Sequence, residues 1–179
     1  MKLTMKSLIE DFGYYFKKYG ITQKQLKKFY SKDESIEDYA WTLFQKILLE
    51  IGDALQKGGI NMQDFYKMTG ETYRYMAYLL ALEKKDSRRI QALQFENEIK
   101  YMDLTYSNLL GVEIFSYGCC DECHKYHNKI LSVPEALEFA KNTEARCHPR
   151  FNKNSRVTLI AKTQENENSL IKVTVSLGK

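Results

Sequence analysis

Several things are scarce in this 179-residue chain, and each scarcity removes a class of function. No apolar run approaches the eighteen or so residues that a membrane span needs. The opening MKLTMKSLIEDF acquires acids too early for a secretory signal, so no membrane is expected and a cytoplasmic setting is. Charge of one sign is also missing. Formal net charge is +4, and it divides evenly, with 17 basic and 15 acidic residues in 1–110 against 10 and 8 in 111–179. A basic footprint spread over the whole molecule, as a general nucleic-acid binder carries, is therefore excluded. No glycine-rich phosphate loop occurs, because Gly58-Gly59 reads as a helix stop. Histidine is limited to three residues in one short region, so no Ser/His/Asp arrangement can be assembled and no catalytic residue is assigned. Internal repeats and low-complexity linkers are absent.

What is present is an ordinary globular composition, 44% hydrophobic and 28% charged, leaning toward Tyr (13) and Phe (9). A chain of this length buries roughly 70% of its unfolded surface and needs neither metal nor disulfide for its main core. The sequence predicts an α+β protein, mostly α: a helical body over 1–110, then a small zinc-stabilised module over 111–179 with a three-stranded sheet and a terminal β-hairpin.

The helical signals are caps and periods. Ser7-x-x-Glu10 reads as a capping box opening a helix to Tyr19, with Gly20 as its stop. Thr22 and Gln25 repeat the box for a short basic helix to about Tyr30. Ile36, Tyr39, Ala40, Leu43, Phe44, Ile47, Leu48, Ile51 and Leu55 recur at steps of three and four and mark the clearest amphipathic helix. Asn61 is placed to cap a helix through Met68 that Gly70 ends, and a further, nearly all-apolar helix is expected over Thr72–Lys85. From Ser87 a long helix carries Ala92, Phe95, Ile99, Met102, Tyr106 and Leu109 in a coiled-coil-like seam ending at Gly111. Packing within the chain accounts for that seam, and a homo-oligomer is the alternative.

At Gly111 the period changes to two. Val112–Tyr117 alternates like a strand, Ser132-x-x-Glu135 with Pro134 caps a helix to about Lys141, and Arg156–Ala161 and Ser169–Val175 read as two strands joined by QENEN. A metal tying the module together would bring 112–117, 156–161 and 169–175 into one sheet with the Pro134–Lys141 helix on one face.

All four cysteines and all three histidines fall between Cys119 and His148. Thiolate and imidazole suit tetrahedral Zn2+, and Cys120-x2-Cys123 lets one turn of backbone present two sulfurs to one ion. The nearest ligand set is Cys120, Cys123, Cys147 and His148, with Cys119, His124 and His127 as substitutes. Cys147 and His148 are adjacent and reach one ion only at a sharp turn, for which Pro149 is suited. The plain alternative is a group of reduced cysteines beside solvated histidines.

Two further functional readings come from the same region. Residues 141–162 hold Lys141, Arg146, Arg150, Lys153, Arg156 and Lys162 against Glu144 alone, a local +5 that can neutralise phosphates of DNA or RNA; Arg146, Arg150, Lys153 and Arg156 are its candidate contacts. An HNH-type nuclease also builds on a CxxC, but its general-base histidine stands on a strand opposite an asparagine, whereas His127-Asn128 lies inside the knuckle loop.

The run Val112-Glu-Ile-Phe, then Cys120-x2-Cys123, then Asn128-Lys-Ile-Leu-Ser-Val-Pro-Glu-Ala136 and Arg146-Cys-His-Pro-Arg150 resembles the C-terminal segment of phage minor head proteins of the head-morphogenesis type, over about residues 112–161. Asn128 stands where that family prefers Gly, and the closing motif has its Cys before His-Pro and lacks a second Cys. The resemblance implies a structural module without a reaction of its own, portal and capsid partners, and a place in the virion if the gene is phage-borne.

Overall fold

The computed structural model describes residues 3–31, 33–146 and 156–164. It is mostly helical with one small antiparallel sheet, the α+β class that the periods indicate. The first helix, α1, spans Met5–Lys18 and is capped by Thr4 rather than by Ser7. Ser7 occupies the third helical position instead: its N–H donates to Thr4 Oγ1 at 3.1 Å and its hydroxyl accepts from Thr4 N–H at 2.9 Å. The earlier start has an apolar reason. It places Leu3 just outside the cap and Leu8 in the second turn, both buried in one cluster, as a hydrophobic staple requires. Gly20 closes the segment with φ of 75°.

Thr22 and Gln25 do form the expected box, opening α2 (Gln23–Phe29), and Ser35 caps α3 (Ile36–Gln56) through Asp38 N–H at 3.0 Å. Asn61 caps α4 as its spacing indicates, with Oδ1 accepting from Asp64 N–H at 2.8 Å. The break expected at Gly70 does not occur, because α4 runs unbroken from Met62 to Leu82. Gly70 is there for proximity: a Cβ at that position would lie 3.3 Å from Asn97 Cβ, so the missing side chain lets the next helix, α5 (Arg88–Thr105), approach closely. The Arg74–Glu98 ion pair, both side chains largely buried, ties the same two helices together.

α5 ends at Thr105, six residues before the expected stop. The chain turns at 106–108 and enters β1, Leu109–Tyr117. β1 contains the alternation expected of 112–117 and is the central strand of a sheet ordered β2-β1-β3, where β2 is Lys129–Leu131 and β3 is Arg156–Thr163. Both partners are antiparallel, with Val112 opposite Leu131 on one side and Ala161 on the other. The pairing of 112–117 with 156–161 is thus as expected. The third described strand is not: it is 129–131, while the hairpin strand 169–175 lies outside the described residues.

Gly111 serves this sheet. A Cβ on it would sit 2.5 Å from the Leu131 carbonyl oxygen, so only glycine admits β2 at that register. Between β1 and β2 lie the one-turn helix α6 (Asp121–His124) and a turn at Asn128, whose φ of 61° is tolerable because an Asn side chain is short. After β2 comes α7, Val133–Lys141, where the Glu135 carboxylate accepts from Ser132 N–H and hydroxyl at 2.8 and 2.6 Å. The four-residue α8 (Thr143–Arg146) follows.

Two apolar cores result. One, among α1 to α4, buries Phe12, Tyr15, Phe16, Phe44, Ile47 and Ile51. The other gathers Val112 and Ile114 of β1, Leu159 and Ala161 of β3, Ala136, Phe139 and Ala140 of α7, and Phe95, Ile99 and Met102 of α5. The seam of α5 is therefore consumed inside the chain, and the second core reaches back across residue 111 to use α5 as a wall. Among the described residues no helix is long and apolar enough to cross a membrane.

Candidate metal centre

Strand β1 carries the chain straight into the cysteines. Cys120 is the N-cap residue of α6, in extended conformation, and Cys123 lies within that single turn, so the two sulfurs bracket one turn of backbone as the x2 spacing requires. Cys123 is buried at 1% exposure, and Cys120 is half-buried. Burial of one thiol beside a partly open one is the setting in which an ion can be held and still be reached from solvent.

Two of the three substitute ligands, Cys119 and His127, are engaged in hydrogen bonds. Cys119 Sγ points back at the Tyr117 carbonyl oxygen, 3.5 Å away, which uses it as a thiol donor. His127 Nδ1 accepts from Ser116 N–H at 3.1 Å. A neutral imidazole with Nδ1 accepting carries its proton on Nε2, so this tautomer leaves no lone pair for a metal. The ring is held on both sides, 4.8 Å from Phe115 and 5.4 Å from His124, the latter nearly parallel at 16°. His124 is exposed, and Glu122 is in an ion pair with Lys125, whose pKa its carboxylate raises by hydrogen bonding.

Cys147 and His148 lie outside the described residues. Among the described residues no three Cys, His, Asp or Glu side chains converge on one point. The ends of the chain that flank 147–155 are described, however. Arg156 starts β3 directly opposite Tyr117, three residues before Cys120. On the other side, Arg88 at the start of α5 donates through Nη1 to the Glu144 carbonyl oxygen at 2.8 Å, which fixes α8 at the end of α5 away from its turn into β1. Arg156 is therefore at the end of the sheet from which β1 leads into Cys120 and Cys123.

The basic patch is weaker than its sequence count. Lys162 pairs with Glu113 at 3.0 Å, and both side chains are mostly buried, so that charge is cancelled. Arg146 closes α8 and Arg156 opens β3; Arg150 and Lys153 lie outside the described residues.

The role of His127 as a brace between the knuckle and β1 is one that sequence reasoning missed. Its partner is a backbone N–H eleven residues away, and no spacing rule announces it. Comparison with protein-family models, curated proteins and solved structures finds no match for this chain.

Proposed function

We propose that the chain is a structural and interaction protein of the phage head-morphogenesis kind, with a zinc-stabilised knuckle at the end of its sheet. The observation that carries the reading is the placing of Cys120 and Cys123 across one turn at the exit of β1, with Arg156, where the chain after Cys147–His148 enters β3, opposite Tyr117 at the same end of the sheet. Strand, CxxC turn, positive-φ residue and capped helix follow in the order of the resembling family segment. Asn128, standing where that family prefers Gly, adopts the left-handed conformation such a position demands.

Cys120 and Cys123, with Cys147 and His148, would hold the ion, and Zn2+ in such a set of four supplies no reaction, only local folding energy. The protein's own part is to fix the first two sulfurs: β1 and the His127–Ser116 bond hold the knuckle against the sheet before any metal arrives. Partners in the portal and capsid follow from the same resemblance.

Elemental analysis of chain purified without chelator is expected to give about one zinc per molecule. Cys123→Ser should remove the metal and loosen the sheet while α1 to α4 stay folded. A content near zero with all thiols open to titration would overturn the metal. The head assignment has its own check: portal and capsid genes are expected beside this one, and unrelated neighbours would remove that assignment while leaving the zinc in place.

A further inference from the structure

Cys120 and Cys123 stand in a relation that the chain repeats elsewhere with oxygen in place of sulfur. Cys120 is the N-cap of α6 and Cys123 its third helical residue, with His124 N–H donating to the Cys120 carbonyl oxygen at 2.9 Å. Thr4 and Ser7 occupy the same two positions at the start of α1, and Thr4 shares with Cys120 a ψ of 160°. Their γ oxygens are 3.0 Å apart.

The cap makes this approach. In a helix interior, residues three apart keep their Cβ atoms about 5–6 Å from one another, beyond the roughly 3.8 Å that a disulfide spans. An extended N-cap residue instead swings its side chain over the turn, as Thr22, Ser35 and Asn61 do, accepting from the third N–H at 3.3, 3.0 and 2.8 Å. Cys120 makes no such capping bond, so none has to break when its sulfur turns toward Cys123. Closing the γ separation seen at Thr4 and Ser7 to a sulfur–sulfur bond of about 2.05 Å takes a rotamer adjustment, not a change of backbone.

Exposure divides the roles of the two thiols. Cys120 is half-buried and open to a reagent, whereas Cys123 is 1% exposed. Cys119 is half-buried too, but it donates toward the Tyr117 carbonyl oxygen, and a bond to its neighbour Cys120 would be strained.

We propose that Cys120 and Cys123 are a thiol–disulfide switch, closed by a small-molecule disulfide and reopened by thiol, whose closed form cannot hold the zinc. Cys120 gives its proton to water and attacks one sulfur of the oxidant, whose own S–S bond breaks and releases one thiol. Cys123 then attacks the Cys120 sulfur of that mixed disulfide and expels the second thiol. The two cysteines lose two electrons and two protons, and the oxidant becomes two thiols. The bond itself needs only the turn of α6, while its consequence, release of the tie to Cys147 and His148, rests on the metal reading above.

The test treats the full, folded chain with oxidised glutathione, before and after chelation, then alkylates remaining thiols and maps the peptides by mass spectrometry. Expected in both arms is a single internal bond, Cys120 to Cys123, that reduced glutathione reverses, with the zinc released from the unchelated arm as the bond forms. Cys123→Ser should instead accumulate glutathione on Cys120, and Cys120→Ser should leave Cys123 unmodified. A mixed disulfide that persists on Cys120 in the parent chain, a bond from Cys120 to Cys119 or Cys147, or thiols that all stay open to alkylation would overturn the switch. A chain without zinc that closes the Cys120–Cys123 bond sustains it while defeating the metal centre. A zinc-loaded chain that keeps its zinc and its thiols under the oxidant does the reverse.

Discussion

The two cores are built from different materials. Around Phe44 in the helical body the ring centroids of Phe12, Tyr15 and Phe16 stand at 5.7, 5.5 and 5.0 Å, and Tyr75 packs on Tyr15 at 4.4 Å. The module's core has Phe95, Phe139 and the half-buried Tyr106 and Tyr126 for rings, and fills its centre with Ala136, Ala140 and Ala161. Large interlocking rings bury much area per residue and add edge-to-face attraction, so the body's buried core closes with side chains from before α5, which adds the half-buried Ile90 at its margin. The module instead relies on sheet hydrogen bonds and on a wall borrowed from α5, which itself is seated on α4 through Gly70 and the Arg74–Glu98 pair. Dependence between the regions therefore runs one way: the body can stand without the module, and the module needs the body to hold α5.

The harshest way to break that asymmetry is Phe44→Ala. Phe44 is fully buried against the rings of Phe12, Tyr15 and Phe16, and deleting it leaves a cavity worth about 3–5 kcal/mol. Because α5 loses its seat when α4 loosens, amide exchange should accelerate in β1 and β3 as well as in α1 and α3. Unchanged protection in the sheet would show that the module holds α5 unaided.

Gly111→Ala strikes from the other side with less force. Its methyl group would meet the Leu131 carbonyl oxygen at 2.5 Å and Ile130 Cγ2 at 2.9 Å. A backbone oxygen cannot rotate away, so β2 must shift, at a cost of about 1–3 kcal/mol. Exchange at 129–131 should rise sharply while α1 to α4 keep their protection. Faster exchange in α3 would make the dependence mutual.

Legibility of the fold in its sequence differs by region, for physical reasons. Helices were legible wherever a cap and a 3.6-residue period coincided, as at Thr22, Asn61 and Ser132. Gly70 misled because glycine more often ends a helix than admits a neighbour, and nothing within α4 reveals that α5 lies against it. β2 was invisible since three residues, Lys129-Ile-Leu131, cannot display alternation. At the knuckle, Cys120 and Cys123 could be paired from spacing alone, but the tautomer of His127 depends on Ser116 across the β1–β2 connection. The outward rings of β1 were in principle readable: the alternation that assigns Val112 and Ile114 to the core assigns Phe115 and Tyr117 to solvent.

The gentlest test of the comparison uses pH, since burial in the body raises the pKa of Tyr15, Tyr19, Tyr73, Tyr75 and Tyr78. For Tyr15 burial dominates, and its hydroxyl stands 2.6 Å from Thr72 Oγ1, which donates onward to the Met68 carbonyl oxygen, so Tyr15 is the donor between them. A folded-state pKa above the unfolded value of about 10 means that the unfolded chain releases its proton first. The stabilisation is whole below pH 10 and drains away above it, by up to about 1.4 kcal/mol per pH unit for each such tyrosine. Tyr15→Phe should cost about 1 kcal/mol at neutral pH through the lost hydrogen bond. It should also flatten the alkaline decline of the body's unfolding free energy by one tyrosine's share, read from denaturant melts at pH 8 through 11. A decline as steep in Tyr15→Phe as in the parent chain would mean that Tyr15 ionises without unfolding the helices around it, and that the ring-filled core is wetter than its packing requires.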